Sequence, residues 1–248
     1  MAETTVIYYS DNSLPQALAD VCQRYLLRAA GEMPIISVSQ KPMALGHNIC
    51  VGDIGRSLLS LFRQQLIGLE AATTQYVAFA EHDVIYAPEH FQFVPPKQDV
   101  FYYNTNFWYL HYGERDPELT NLFSWGAKRR PNGEFQSPQS QLIAEREMTI
   151  QAYRERLAFI EDDLVSKALP AEPGMKRKTA IGQLTGIPAF LPLLKWASKW
   201  EAEWFSTVIP NLDIQHGDNY SRKSKVRVGK KRRGVLPYWG TVQDVLGC

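Results

Sequence analysis

Two carboxylates and an imidazole stand side by side where an apolar run ends. In "QYVAFAEHDVIYAPEHF", residues 75–91, Tyr76 to Ala80 is apolar enough to be buried on both faces, and Glu81, His82 and Asp83 follow at once. Val84, Ile85 and Tyr86 then return to apolar character. Glu81 and Asp83, two residues apart, share a face in extended backbone, and in a turn they can converge on one ion. Paired carboxylates beside an imidazole suit a divalent cation, above all Mg²⁺ or Mn²⁺, which prefer oxygen ligands and tolerate a nitrogen. An ion held by two or three protein groups keeps positions open for phosphate oxygens. The same residues also suit a strand end with solvated acids, or a salt-bridged pair. A second polar cluster, Asp213, His216, Asp218 and Asn219 in "NLDIQHGDN", supplies another imidazole. A neutral imidazole is a good ligand for such an ion, and an ordinary surface-loop histidine is the alternative.

The elements around these residues predict an α/β fold. "TTVIYYSDN" reads as a strand stopped by Ser10, Asp11 and Asn12, and "MPIISVSQ" as a second strand. "PQALADVCQRYLLRAAG" carries apolar residues at helical spacing and stops at a glycine, and "DIGRSLLSLFRQQLIGLEAAT" is a second helix. With the run at Tyr76, this is strand, helix, strand, helix, strand, the signature of a parallel sheet covered by helices. Ligands collect at the carboxyl ends of such strands, where Ser10-Asp11-Asn12 and Glu81-His82-Asp83 both lie.

Beyond residue 98 the pattern changes. "DVFYYNTNFWYLHYG" predicts one strand with aromatic alternation, antiparallel or mixed in its pairing, and "SQLIAEREMTIQAYRERLAFIEDDLVSKAL" a long helix. Trp196, Trp200 and Trp204, at spacings of four, predict a helical stripe packed into a core. No repeat or linker is visible, so one domain over 1–248 is expected. Its first half would span about 1–100, and a second, mixed α/β half would follow over about 101–248.

Of the 248 residues, 45% are hydrophobic and 12% aromatic, which supports a substantial core and excludes wholesale disorder. No apolar run approaches the roughly 20 residues of a membrane span, and the first residues lack the basic start and apolar stretch of a signal peptide. Cys22, Cys50 and Cys248 are too few and scattered for a disulfide framework or a zinc site. A reduced, cytoplasmic protein with no membrane partner is expected. The net charge of +1 hides an asymmetry: "RKSKVRVGKKRR", from Arg222 to Arg233, holds eight basic residues and no acid, which leaves about −7 on the rest. Such a segment on an acidic protein points to an anionic partner, or to a solvated tail.

A nucleotide-fold-like first half ending in acid-x-acid resembles the glycosyltransferases of the GT-A fold. Their motif is Asp-x-Asp, and Glu81-His82-Asp83 departs from it in the first acid. The stretch from "PIISVSQKPMALGHNICVGDIGRSLLSLFRQQLIGLEAATTQYVAFAEHDVIYAPEHF" looks like phage-type glycosyltransferases of viral and metagenomic sequences. The likeness is best over Val6 to Phe91 and weaker in "SQLIAERE" and "NLDIQHGDN". Some of these relatives sugar-modify hydroxymethylated cytosine in phage DNA, among them enzymes associated with TET-type oxygenases.

The resemblance implies a Mn²⁺ or Mg²⁺ ion and a UDP-sugar donor. Asp83 would bind the metal that bridges the donor diphosphate, Glu81 would help directly or through water, and His216 would complete the site. Ser10, Asp11 and Asn12 would face the nucleoside, with Asp53 and Arg56, at the start of the second helix, as another wall. Arg56 has a structural ion pair as its alternative. Arg222, Lys223 and Lys225 could swing over the diphosphate. If the reaction inverts, a carboxylate base must take the acceptor proton, for which Glu145 is the candidate and Glu147 the fallback.

For the acceptor, Lys and Arg neutralise nucleic-acid phosphates. Tyr238 and Trp239, just past the basic segment, could stack on an exposed base, and Lys176, Arg177 and Lys178 form a second basic cluster. Taken with these features, the resemblance implies transfer of a sugar, glucose from UDP-glucose, to a hydroxymethyl pyrimidine, 5-hydroxymethylcytosine, in DNA. A polysaccharide, lipid-linked or protein acceptor is the alternative, as is a non-catalytic nucleic-acid-binding protein.

Overall fold

A computed structural model of the chain describes residues 3–112, 122–129, 135–136, 138–162, 199–216 and 233–247. The first strand, β1 (Thr4–Ser10), is buried at every position. Ile7 and Tyr9 face one layer of core and Val6 and Tyr8 the other, as expected of a parallel strand covered on both faces. Helix α1 (Gln16–Ala30) follows, buries Leu18, Val21, Cys22 and Leu26, and stops at Gly31, where φ is +56°. Strand β2 (Ile35–Ser39) lies parallel to β1.

Strand β3 (His47–Cys50) adds a partly exposed edge beyond β2, an element the sequence reading leaves out. Helix α2 (Leu58–Ala71) begins where its apolar spacing begins, five residues after the predicted start at Asp53. Ser57 is extended and its hydroxyl accepts from Ser60 N, while Gly52 and Gly55 before it have positive φ. Asp53 and Arg56 therefore sit on a loop ahead of the helix.

Strand β4 (Tyr76–Glu81) lies parallel to β1. After a two-residue turn come β5 (Val84–Ile85) and α3 (Pro88–Gln92). The aromatic run predicted as one strand is two: β6 (Val100–Asn104) and β7 (Phe107–His111), which enter different sheets. The break has a local cause. Asn106 N–H donates to Asn104 Oδ1 (2.8 Å), which turns the chain inside the core. Strands β8 (Leu122–Trp125), β9 (Lys128–Arg129) and β10 (Phe135–Gln136) follow, then a 3₁₀ turn over Gln139–Gln141.

The long helix predicted from Ser140 onward starts as strand β11 (Leu142–Glu145), and only then becomes α4 (Arg146–Asp162). The tryptophan stripe is also corrected. Trp204 lies in strand β12 (Glu201–Phe205), preceded by Trp200, and Trp196 is outside the described residues. A spacing of four fits a strand's period of two as well as one helical turn. Strand β13 (Asn211–Gln215) and helix α5 (Val242–Leu246) complete the described elements.

Seven strands form the main sheet in the order β12-β6-β11-β4-β1-β2-β3. All run parallel except β11, which is antiparallel to both neighbours. This is the mostly parallel α/β plan, flanked by helices, that the sequence predicts. Helices α2 and α4 share the core on one face, where Phe62, Phe79 and Tyr153 meet, while α1 and Phe91 of α3 cover the other. Full burial of a side chain such as Phe79 stabilises by about 2 kcal/mol. A second sheet, β5-β13-β7-β8, packs against α1 and α5 through Leu18, Ile85, Leu212 and Val245.

Two segments pass together from the large sheet to the small one. The parallel pair β6 and β12 continues as the parallel pair β7 and β13. Between them Thr105 N–H donates to Phe205 O (2.9 Å), Asn106 Nδ2 to Thr207 O and Val208 O, and Asn211 N–H to Asn106 O.

Beside this crossing His90 is fully buried among Tyr86, Phe91 and Phe205, with Nδ1 3.3 Å from Asn104 Nδ2. Burial pushes its pKa down to about 3, so the ring is neutral in the fold and binds its proton only after unfolding. Its contribution to stability is complete above the ordinary value of 6.5 and falls by about 1.4 kcal/mol per pH unit below it. Between pH 7 and 5 this group should cost about 2 kcal/mol of unfolding free energy. Urea titrations of wild type and His90→Phe at both pH values check this; equal pH sensitivity in the two proteins would refute it.

Candidate metal and nucleotide site

The carboxyl ends of β1 and β4 lie side by side, with Tyr9 opposite Glu81 in the register. Strand β4 ends at Glu81, and His82 and Asp83 form the turn into β5. Strand β13 pairs with β5, and Ile214 N–H donates to Asp83 O (2.9 Å), which sets the residue after β13, His216, against the turn. Residues distant in sequence thereby meet at one point. His82, Asp83 and His216 each offer a ligand atom, and these atoms lie within 4.8 Å of one another, the group among the described residues arranged to hold a cation. His216 Nε2 is 3.7 Å from Asp83 Oδ2, and the two side chains are 6% and 13% exposed, so an ion here would be largely shielded from water.

The electrostatics favour an anionic Asp83. Burial opposes its ionisation, but the nearby imidazoles of His216 and His82 outweigh it and hold the carboxyl below its ordinary range. One ionised carboxylate with two imidazoles is a donor set suited to a divalent transition ion.

Glu81 does not join this group. Strand alternation turns it to the face of Val77 and Phe79, where Tyr9 donates its hydroxyl proton to Glu81 Oε1 (2.7 Å). Burial, then the charge of Glu81, keeps that phenol protonated. The extended backbone ends at Glu81, and Asp83 lies in the turn that follows. His82, inside the acidic knot, is the residue that lies with Asp83 and His216. Asp213, read as a loop acid, is buried in β13 and accepts from Gln215 Nε2 (2.6 Å). Burial first, then the charges of Asp83 and Glu81, push its carboxyl well above the ordinary range.

Ser10, Asp11 and Asn12 border the same crevice. Ser10 is buried with its hydroxyl 2.8 Å from His82 Nδ1, and Asn12, at φ +57°, accepts from Lys41 N (2.8 Å). Arg56 reaches from its loop to Asp11, Nε to Oδ2 at 2.8 Å. Burial works against the Asp11 charge, yet hydrogen bonds from Ser13, with His82 and Arg56, hold its carboxyl below the usual range. Asp53 is farther out and accepts from Gly55 N (3.0 Å). Arg222, Lys223, Lys225, Lys176, Arg177 and Lys178 lie outside the described residues.

Glu145 is not brought to the crevice. It pairs with Tyr76, at the opposite end of β4 from Glu81, about 16 Å away along the strand at ~3.3 Å per residue. Its Oε2 accepts from Met148 N (2.6 Å) and caps α4, and neighbouring Glu147 pairs with Arg146. Since β11 runs antiparallel to β4, its last residue lies where β4 begins. Replacing Glu145 by Ala should lower stability by about 1 kcal/mol through the lost cap and leave Mn²⁺ affinity unchanged. Thermal melts and a Mn²⁺ titration test both parts, and weaker Mn²⁺ binding would show the placement to be wrong. Trp239 is likewise committed to the fold, with Nε1 donating to Pro210 O (2.7 Å) and its ring edge-on to Tyr25. Tyr238 beside it is 69% exposed.

No family model matches the chain, and no curated protein does. Among solved structures it is similar to a glycosyltransferase involved in glycosylation of the major capsid of PBCV-1, at 9% identity and a TM-score of 0.44, over 85% of this chain and 91% of that one. It is similar to S. aureus TarS in complex with UDP-GlcNAc, at 10% identity and a TM-score of 0.42, over 90% and 62%. It is also similar to the bifunctional IspDF from Campylobacter jejuni, at 10% identity and a TM-score of 0.42, over 83% and 50%. Likeness at this level leaves activity to be read from the crevice. Among the described residues no helix is long and apolar enough to cross a membrane.

Proposed function

We propose that the protein is a metal-dependent glycosyltransferase of the GT-A type that uses a nucleotide-sugar donor. The observation that carries this reading is the meeting of His82, Asp83 and His216 at the carboxyl ends of β1 and β4, where doubly wound sheets bind nucleotides. When bound there, Mn²⁺ would supply Lewis-acid stabilisation of the departing diphosphate. Asp83 contributes the anionic ligand and His82 and His216 the neutral ones, while Asn12, Asp53 and Arg56 border the nucleoside side. Because two of three ligands are imidazoles, Mn²⁺ should support turnover at least tenfold better than Mg²⁺, which favours oxygen donors. Equal rates with the two ions, measured as UDP release, would contradict this donor set.

For the acceptor we propose the hydroxymethyl group of 5-hydroxymethylcytosine in DNA, with glucose from UDP-glucose as the transferred sugar. The support is the basic segment from Arg222 to Arg233, suited to phosphates, and the resemblance of Val6 to Phe91 to phage-type enzymes. The chain is incubated with UDP-sugars, Mn²⁺ and hydroxymethylcytosine DNA, and the digested nucleosides are weighed by mass spectrometry. A gain of one hexose is the expected result. Donor hydrolysis without modified nucleoside would move the acceptor to another class, and absence of both would remove the enzymatic reading.

A further inference from the structure

His82 occupies the middle of the acid-x-acid stretch, and the structure holds it firmly from behind. Ser10 Oγ lies 2.8 Å from His82 Nδ1 and also accepts from Asn12 N–H (2.9 Å). Asp11 Oδ1 is 3.6 Å from the same Nδ1. Asp11 is itself fixed on both oxygens: Ser13 N–H and Oγ–H donate to Oδ1 (3.0 and 2.7 Å), and Arg56 Nε pairs with Oδ2 (2.8 Å). With Nδ1 engaged by the β1 end, Nε2 is the ring nitrogen left for a cation.

We propose that Ser10 and Asp11 are positioning residues that hold His82 as the third protein ligand of the cation, with Nδ1–H directed to them and Nε2 presented to the ion. This deepens the metal-dependent reading above and rests on it. A ligating imidazole is oriented, and made a better donor, when its second nitrogen donates to a carboxylate or another acceptor. Loss of such a partner commonly weakens metal binding by about 10–100-fold. The carboxylate of Asp11 is thereby assigned to the imidazole instead of to the donor ribose. The turn after β4 and the loop after β1 become one binding unit.

The test titrates Mn²⁺ alone into the full chain, followed by electron paramagnetic resonance, with no donor present. Asp11→Asn should raise the Mn²⁺ Kd by about 10–100-fold, and Ser10→Ala should shift it in the same direction by less. Arg56→Gln removes only the outer ion pair and leaves Ser13 on Asp11, so its Kd should stay within about threefold of wild type. ¹⁴N modulation spectra of the Mn²⁺-loaded wild type should show two coordinated imidazoles, and those of His82→Ala one. Unchanged affinity in Asp11→Asn, equal weakening in Arg56→Gln, or a single imidazole in wild type would each overturn the assignment while leaving a metal enzyme intact. Wild type that binds no Mn²⁺ would overturn both readings. If Asp11→Asn fails to fold, Ser10→Ala carries the affinity test, and a single imidazole in wild type would still overturn the assignment.

Discussion

Asp83→Asn is expected to abolish measurable Mn²⁺ binding and to lower donor turnover on the order of 10³-fold, because Lewis-acid stabilisation contributes several kcal/mol to such reactions. The carboxylate is the only anionic member of the ligand group, and an amide of the same shape keeps the volume while removing the charge. The fold should survive. Burial already opposes ionisation at this position, and the two imidazoles supply the compensation, so a neutral residue forfeits their attraction but also avoids the desolvation cost. A melting temperature within a few degrees of wild type, together with a flat Mn²⁺ titration, is the predicted pair of results. Mn²⁺ binding of undiminished affinity in this variant would end the assignment of the site.

Gly46→Ala is expected to be among the most destabilising single-methyl additions in the chain. Gly46 has φ +57°, and a Cβ there would lie 2.2 Å from the backbone oxygen of Ile35 and 2.8 Å from its Cβ. Both partners belong to a buried strand paired on its two sides, so neither can yield without disturbing the ladder. Backbone strain with an unrelieved clash should cost about 3 kcal/mol, which for a chain of this size lowers the melting temperature by roughly 10 °C. A shift below about 2 °C in a thermal melt would show that β3 is free to move away. The change also acts on the crevice, because β3 leads directly into the loop that carries Asp53 and Arg56.

The first half of the fold was legible in sequence for a physical reason. A strand covered on both faces must be apolar throughout, as Val6 to Tyr9 and Tyr76 to Ala80 are, and a helix covered on one face must show its period, as α1 does. Strand β3 escaped because His47-Asn48-Ile49-Cys50 sits at a partly exposed edge and needs no apolar run. Glu145 was read as helical because the four residues of strand before the helix look like the helix's own first turn. Of the second sheet only strand character over Phe107–His111 and mixed pairing were legible; its partners were not. Its central pairing joins β13 to β7 and β5, over separations of a hundred residues and more, with no local signature. At the site, residue type and resemblance singled out Asp83 and His216, and the structure sets the two side by side. That His82 lies beside them depends on the single position at which the strand gives way to a turn.

The paired crossing from the large sheet to the small one has a consequence for how affinity at the crevice could change over evolution. His216 hangs from the far end of β13, and that strand's path is set where Asn106 clasps Thr207 and Val208. A substitution at this clasp would alter the reach of the imidazole while every coordinating side chain stayed in place. Tuning of the cation's grip can thus originate in a buried amide that touches neither ion nor sugar.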